Sequence, residues 1–298
     1  MRGGNLDLAT RLRERFPRLK LTRDFSFARH TTIGCGGSAA ASAYPAAAEE
    51  AAELLLWLWT ERVPHCFLGT GANVLPADGR FEGVVVCFSS LSALYADGTR
   101  IYAGAGVTGG RLLSFAAERL IGGLEAFSGI PTSVGGGITM NAGVRELHFS
   151  DVTEQVLASE KGKLYLIPQK DCAFSEKESV FQGGLAVLGA YLNGKRSDAA
   201  TIATEACFYR RRRAALPKGR SMGCAFVNPP GKTAGELIEA CGLKNTRVGG
   251  ARVSDVHANF ILNEGGSSDD VSALAELVRA RVQMQTGILL REEFRRIP

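Results

Sequence analysis

An α+β fold in two parts is what this sequence predicts, on three observations. Helix-like and strand-like periodicities alternate over residues 1–195. The pattern changes character in "NGKRSDAATIATEACFYRRRR", and a smaller α+β set of segments then fills 196–284. With 298 residues, 45% hydrophobic and 22% charged, the chain can bury the core that two ordinary domains need.

The elements follow in order. "LATRLRERF" reads as a short amphipathic helix, and "AAAEEAAELLLWLWTERV" as a longer one rich in strong helix formers. "PHCFLGTGANVL" reads as a short apolar strand entering a glycine loop. "GVVVCFSSLSALYADGTRIYAGAG" reads as a pair of strands around an Asp97-Gly98 turn. "TGGRLLSFAAERL" has helical period through Leu112, Phe115, Ala116, Arg119 and Leu120, and "KLYLIP" and "AVLGAYLNG" are further strands. In the second part, a helix carries the arginine run and "TAGELIEACGL" is a short capped helix. "VSDVHANFILNE" reads as one strand. "SSDDVSALAELVRARVQMQTG" is a helix capped by Ser268, with Asp269 and Asp270 on its N-terminal dipole and Val271, Leu274, Ala275, Val278 and Val282 as its apolar stripe. Gly287 ends it.

Composition narrows the function. The longest apolar run is the six-residue "LLLWLW", far short of the roughly 18 residues of a membrane span. "MRGGNLDLATRLRERF" lacks the apolar block of a secretory leader, so the cytoplasm is expected. The seven cysteines are irregularly spaced and include no CxxC pair, which suits reduced thiols and no metal site. The net charge of +5 fits an anionic small molecule and is too small to argue for nucleic acid. A monomer is expected, with no nucleic-acid or membrane partner.

Glycine is the strongest signal. The 36 glycines cluster in "GCGG", "GTGAN", "GAGVTGG", "SGIPTSVGGGITMNAG" and "RVGGA". Such clusters mark tight turns or close approach to a ligand, and five of them suggest one large ligand wrapped by loops. Gly104-Ala105-Gly106-Val107-Thr108-Gly109 matches GxGxxG between a strand and a helix, with Glu125 about 20 residues on. A dinucleotide turn needs that acid at the end of a second parallel strand, and "IGGLEAFSGIP" is not a β run, so the motif is rejected. Cys224 sits in the polar turn "RSMGCAFVNPP", downstream of Arg210–Arg213, as a working thiol would.

Three segments in register carry a resemblance. "LGTGANVLPADGRFEGVVV", "GLEAFSGIPTSVGGGITMNAG" and "SMGCAFVNPPGKTAGELIEACGLKNTRVGGARVSDVHANFILN", with "GILLREEFRRI" at the C-terminus, resemble the UDP-N-acetylenolpyruvoylglucosamine reductase family in its short subtype. The resemblance covers about residue 25 to the end. It implies an FAD-binding domain of the vanillyl-alcohol-oxidase (PCMH) type over 1–195, in two α/β subdomains meeting near residue 62. A smaller α+β substrate domain spans 196–284, and the tail 285–298 returns to the first. It implies NADPH as co-substrate and a UDP-sugar enolpyruvyl ether as substrate, reduced to UDP-N-acetylmuramate for peptidoglycan precursor synthesis.

By motif position, Gly69, Thr70, Gly71, Ala72, Asn73 and Val74 are expected to cradle the FAD pyrophosphate through backbone N–H groups. Gly129, Ile130, Pro131, Ser133, Gly135, Gly136, Asn141 and Gly143 are expected along the ring and its tail. Cys224 stands in place of the family's proton-donating serine, and a thiol is the better acid. Glu293 matches the family's catalytic glutamate, and Lys177 takes the place of a catalytic arginine. Arg211, Arg212, Asn228 and His257 are expected on the substrate. The chain departs from the pattern where FSYRxS becomes "FSEKES", TFRIGG becomes "TIGCGG", K-x-P becomes Val227-Asn228-Pro229, and glutamine becomes Ala215. Two other readings stay open beside the reductase: a flavin oxidase with another small substrate, and a flavin binder without turnover.

Overall fold

The structure, a computed structural model, describes residues 7–298; the first six, at the head of the segment read for a leader, lie outside the described residues. The chain forms two compact units. One comprises the residues up to Arg23, Ala41–Thr70 and Gly83–Ala215; the other comprises Asp24–Ala40, Gly71–Glu82 and Leu216–Pro298. The expected boundary at 195/196 falls before the arginine-bearing helix Ala199–Ala214, whereas the units divide after it, at Ala215/Leu216. Among the described residues no helix is long and apolar enough to cross a membrane, and no cluster of His, Cys, Asp and Glu could hold a metal.

The first unit is built on a five-stranded antiparallel sheet. Its order is Lys163–Pro168, Thr153–Glu160, Ala186–Asn193, Arg100–Gly104, Leu94–Asp97. A short parallel pair matches His65 with Val84 through Leu68 with Cys87. Helix Ala48–Thr60 buries Ala51, Leu54, Leu55 and Leu58, the i, i+3, i+4, i+7 stripe of an amphipathic helix. Fully buried Leu54 and Leu58 each contribute about 1.5–3 kcal/mol. They join Val84, Val86, Ile101, Phe127, Phe149, Val156 and Leu188 in one core. The strand pair expected around Asp97-Gly98 is interrupted by a 3₁₀ turn at Phe88–Ser90; the hairpin proper joins Leu94–Asp97 to Arg100–Gly104.

The second unit packs helices Ala234–Ala240 and Ser268–Thr286 on a three-stranded antiparallel sheet of Arg247–Val248, Ala251–Val253 and Ile261–Asn263. Two expectations change here. The long helix is capped by Ser267, whose hydroxyl accepts from Asp270 N at 3.1 Å; Ser268 is instead buried, its hydroxyl 3.3 Å from Cys35 Sγ. "VSDVHANFILNE" is two strands rather than one. Ser254 Oγ accepts from Val256 N and His257 N, which turns the chain back so that Ala251 pairs with Asn263. A parallel pair, Val74–Pro76 with Arg295–Ile297, ties the C-terminal tail to the residues after the first glycine loop.

Candidate functional site

Three of the five glycine clusters have a packing reason. A Cβ on Gly106 would lie 2.7 Å from Ser89 C and O, and one on Gly104 would lie 2.9 Å from Leu91 C. Gly104 and Gly106 therefore admit the backbone of residues 88–91 rather than a phosphate. The strands flanking Arg100–Gly104 are antiparallel, and buried Glu125 spends its carboxylate on Gly123 N at 2.8 Å. Rejection of the dinucleotide turn stands on that geometry. Gly37 packs against Gly79 and Gly250 against Gly265 and Gly266 in the same way.

In the first unit, the other two clusters meet. Thr70 Oγ1 donates to Pro131 O at 2.8 Å. Among the described residues, a Cβ on exposed Gly69 would find only Ser133 Oγ within 4 Å, at 2.8 Å. Ser133 is buried and caps helix Val134–Thr139 by accepting from Gly136 N at 3.3 Å. Gly129 has φ of +78° and is exposed, as is Pro131. Bare backbone over a buried hydroxyl suits close approach of a phosphate or flat ring, so this loop pair fits a flavin nucleotide. Gly135 and Gly143 also have packing neighbours: a Cβ on Gly135 would lie 2.8 Å from Ala105 Cβ, and one on Gly143 would lie 2.6 Å from His148 Cα. Ile130 packs against the core.

Asn141 is buried with φ of +40°, and both ends of its carboxamide engage backbone: Oδ1 accepts from Ser150 N, and Nδ2 donates to Ser175 O, each at 2.9 Å. Ser175 belongs to "FSEKES". There Ser175 and Glu178 exchange backbone hydrogen bonds, leaving Glu176 and Lys177 at the tip of a tight turn. Lys177 takes φ of +61°, and its carbonyl accepts from Gln182 Nε2 at 2.8 Å. Asn141 thus anchors the turn that presents Lys177. On helix Ala199–Ala214, Arg212 is exposed and pairs with Glu146 at 2.7 Å; this holds the Glu146 carboxyl below its ordinary range. Arg211 is exposed beside it, and Arg213 Nε donates to Gly129 O at 2.9 Å.

The second unit gathers Cys224 and Glu293. Residues 224–227 lie between two segments. On one side Cys224 bridges Phe260, and Ala225 N donates to Asn259 O at 2.7 Å. On the other Phe226 bridges Glu292, Glu293 N donates to Ala225 O at 2.8 Å, and Val227 N donates to Arg291 O at 2.9 Å. Of the two adjacent acids, Glu292 is committed to Arg296 through two hydrogen bonds of 2.7 and 3.0 Å. The glycine loop joins the same cluster. Asn73 Nδ2 donates to Glu293 O at 3.1 Å, and Arg295 N donates to Asn73 O at 2.9 Å. Gly71, at φ of +68°, passes so close to the His30–Thr31 backbone that a Cβ would lie 2.8 Å from Thr31 Cα. Thr32 N donates to Gly71 O at 3.0 Å, and Thr32 Oγ1 donates to Ser221 O at 2.6 Å. Ala72 and Val74 are half-buried between these ties.

Asn228 and His257 have fold partners in this unit. Asn228 Oδ1 accepts from Ala234 N at 2.9 Å, at the start of helix Ala234–Ala240. His257 Nδ1 accepts from Asn259 N at 3.2 Å and its ring packs edge-on against Phe260; burial lowers its pKa. No disulfide joins any of the seven cysteines, and burial pushes the Cys66 and Cys87 thiols up to about 12. Cys87 is buried, whereas Cys224, like Cys66, is half-buried. Sequence reasoning missed Thr32 and Asn259. The signal for Asn259 was there: a polar amide inside the apolar run "HANFIL" has to find partners.

Residues 215–297 match the family described as UDP-N-acetylenolpyruvoylglucosamine reductase, C-terminal domain, and residues 39–161 match the FAD binding domain family. The UDP-N-acetylenolpyruvoylglucosamine reductase of Geobacter metallireducens is 35% identical over 98% of both chains, and that of Moorella thermoacetica 35% over 93% of both. The crystal structure of UDP-N-acetylenolpyruvylglucosamine reductase from Thermus caldophilus superposes with a TM-score of 0.80 at 31% identity, covering 94% of this chain and 99% of that one. A glucooligosaccharide oxidase from Acremonium strictum shares the fold at 12% identity, with a TM-score of 0.51 over 92% of this chain and 58% of that one.

Proposed function

The chain belongs to the UDP-N-acetylenolpyruvoylglucosamine reductase family, and from that premise we propose that it reduces the enolpyruvyl ether of UDP-N-acetylglucosamine to UDP-N-acetylmuramate with NADPH. Its fold is the vanillyl-alcohol-oxidase type of FAD-binding domain with an α+β C-terminal domain, and its cofactor is FAD. We assign FAD binding to the first 195 residues and substrate binding to 196–284, in the cytoplasm, with the protein acting as a monomer.

The bound flavin supplies hydride chemistry. The chain's own residues do the rest. The loop pair of Gly69 and Thr70 with Gly129, Pro131 and Ser133 offers main-chain donors and a hydroxyl to the nucleotide. Gly71, Ala72, Asn73 and Val74 continue that loop, and Ile130, Gly135, Gly136, Asn141 and Gly143 shape the wall behind it. Hydride addition at the β-carbon of the enolpyruvyl group leaves negative charge toward its carboxylate and requires one proton at the α-carbon. Cys224 Sγ–H donates that proton, and its thiolate is reprotonated from solvent. Glu293 orients the donor and the substrate. Lys177, held at its turn tip, sets a cation against the carboxylate. Arg211 and Arg212 supply guanidinium groups for the pyrophosphate, and Asn228 and His257 contact the sugar nucleotide. The observation that carries this reading is the convergence of the Cys224 segment, the Glu293 segment and Asn73 in one hydrogen-bonded cluster.

The test is direct. The purified protein should be yellow, and NADPH oxidation should depend on the UDP enolpyruvyl sugar. Oxidation indifferent to that sugar, or fast reoxidation by oxygen alone, would remove the reading.

A further inference from the structure

We propose that Asn259 is the positioning residue for the thiol turn: its carboxamide takes the place of a missing backbone strand and fixes where Cys224 stands relative to the Glu293 segment. The proposal rests on the assignment of Cys224 as proton donor. Asn259 is 2% exposed. Its Oδ1 accepts from Phe226 N at 2.9 Å, and its Nδ2 donates to Phe226 O at 2.8 Å, so one side chain satisfies both main-chain groups of one residue. Its own carbonyl accepts from Ala225 N at 2.7 Å, and Ala225 O in turn accepts from Glu293 N at 2.8 Å. Cys224 therefore precedes two consecutive residues held from the Asn259 side, and the carbonyl between them carries the Glu293 segment.

The arrangement has a physical reason. Phe226 is buried, and its pairing with Glu292 is a bridge that leaves its own N–H and C=O turned the other way. Across from it the chain is turning at His257–Asn259, so no regular strand is there to receive those groups. A buried main-chain pair left unsatisfied would relax toward another partner and carry the turn with it. An amide is the side chain that offers one acceptor and one donor in a plane, as a peptide group does. Aspartate has the same shape and lacks the donor.

Two variants test this, Asn259→Ala and the near-isosteric Asn259→Asp. In the FAD-bound protein, alkylation by iodoacetamide is followed at each cysteine by peptide mapping. Cys224 should label about fivefold faster or more in either variant, while buried Cys35 and Cys87, which open only with the fold, keep their wild-type rates. Unchanged labelling at Cys224 overturns the proposal. Labelling that rises equally at Cys35 and Cys87 also overturns it, because Asn259 would then support the fold generally. In the reaction, flavin reduction by NADPH should stay at its wild-type rate, and reoxidation by the UDP enolpyruvyl sugar should fall roughly 10- to 100-fold. Adding Asn259→Asp to Cys224→Ala should cause no further fall, since both act through one group; an additive fall contradicts the proposal. If wild-type protein ignores the UDP sugar, the reductase reading fails and the labelling result still decides the role of Asn259.

Discussion

Alanine at three glycines of one motif should have opposite consequences, and the structure sets the sizes. At Gly106 a Cβ would fall 2.7 Å from Ser89 C and O; at Gly104 it would fall 2.9 Å from Leu91 C. Phe88 O and Leu91 O would lie closer still, so restoring an ordinary contact of about 3.5 Å requires the backbone of residues 88–91 to retreat by more than about 1 Å. That backbone is fixed from both ends, because Gly106 N donates to Leu91 O at 2.9 Å and Gly104 N to Ala93 O at 2.8 Å. Phe88 and Leu91 are buried in the core of the first unit. Overpacking against such a segment costs about 3 kcal/mol. At about 2–4 °C per kcal/mol, Gly106→Ala and Gly104→Ala should each melt roughly 6–12 °C lower. Gly109 differs: its nearest neighbours would be Ile130 O at 3.5 Å and Thr132 O at 3.7 Å, and it opens helix Gly109–Glu118. Gly109→Ala should be neutral or stabilise by up to about 1 kcal/mol. Thermal melts of apo and FAD-bound protein read all three. If Gly106→Ala melted normally but lost FAD selectively, the motif would be a ligand loop after all.

Two further outcomes follow from the sites. Lys177→Ala should raise KM for the UDP sugar roughly 10- to 150-fold, the equivalent of a charged hydrogen bond of about 1.5–3 kcal/mol, with flavin reduction unaffected; a change confined to flavin reduction would place Lys177 elsewhere. Burial holds the His257 pKa below its ordinary 6.5, so the unfolded chain takes up a proton that the fold resists. Stability should therefore decline as pH falls below about 6.5 toward the folded-state pKa. Urea titrations across that range should show a shallower slope in His257→Gln, and an unchanged slope would reject the assignment.

What the sequence could and could not disclose follows from the same contacts. Helices Ala48–Thr60 and Ser268–Thr286 were legible because their apolar stripes are local. The Ser267 cap was missed by one residue because either serine could serve, and only the burial of Ser268 beside Cys35 decides between them. The strand read through "VSDVHANFILNE" failed where Ser254 bonds its own following backbone, a turn that apolar neighbours conceal. The glycine clusters were visible, but whether a missing Cβ admits a ligand or another backbone depends on partners distant in sequence: Ser89 for Gly106, Gly79 for Gly37, Ser133 for Gly69. Cys224 was legible through its motif. Asn259 could be marked as an amide in need of partners, but not which partners, because Phe226 lies 33 residues away.

The most direct measurement is anaerobic. Flavin on the wild-type protein is reduced with one equivalent of NADPH, the UDP enolpyruvyl sugar is added, and the return of oxidised-flavin absorbance is timed beside Cys224→Ala and Glu293→Gln. The account predicts prompt reoxidation in the wild type, with both variants reduced normally but reoxidised about 10²- to 10⁴-fold more slowly, the usual range for loss of a general acid. Wild-type flavin that stays reduced, or Cys224→Ala reoxidising at the wild-type rate, would contradict it.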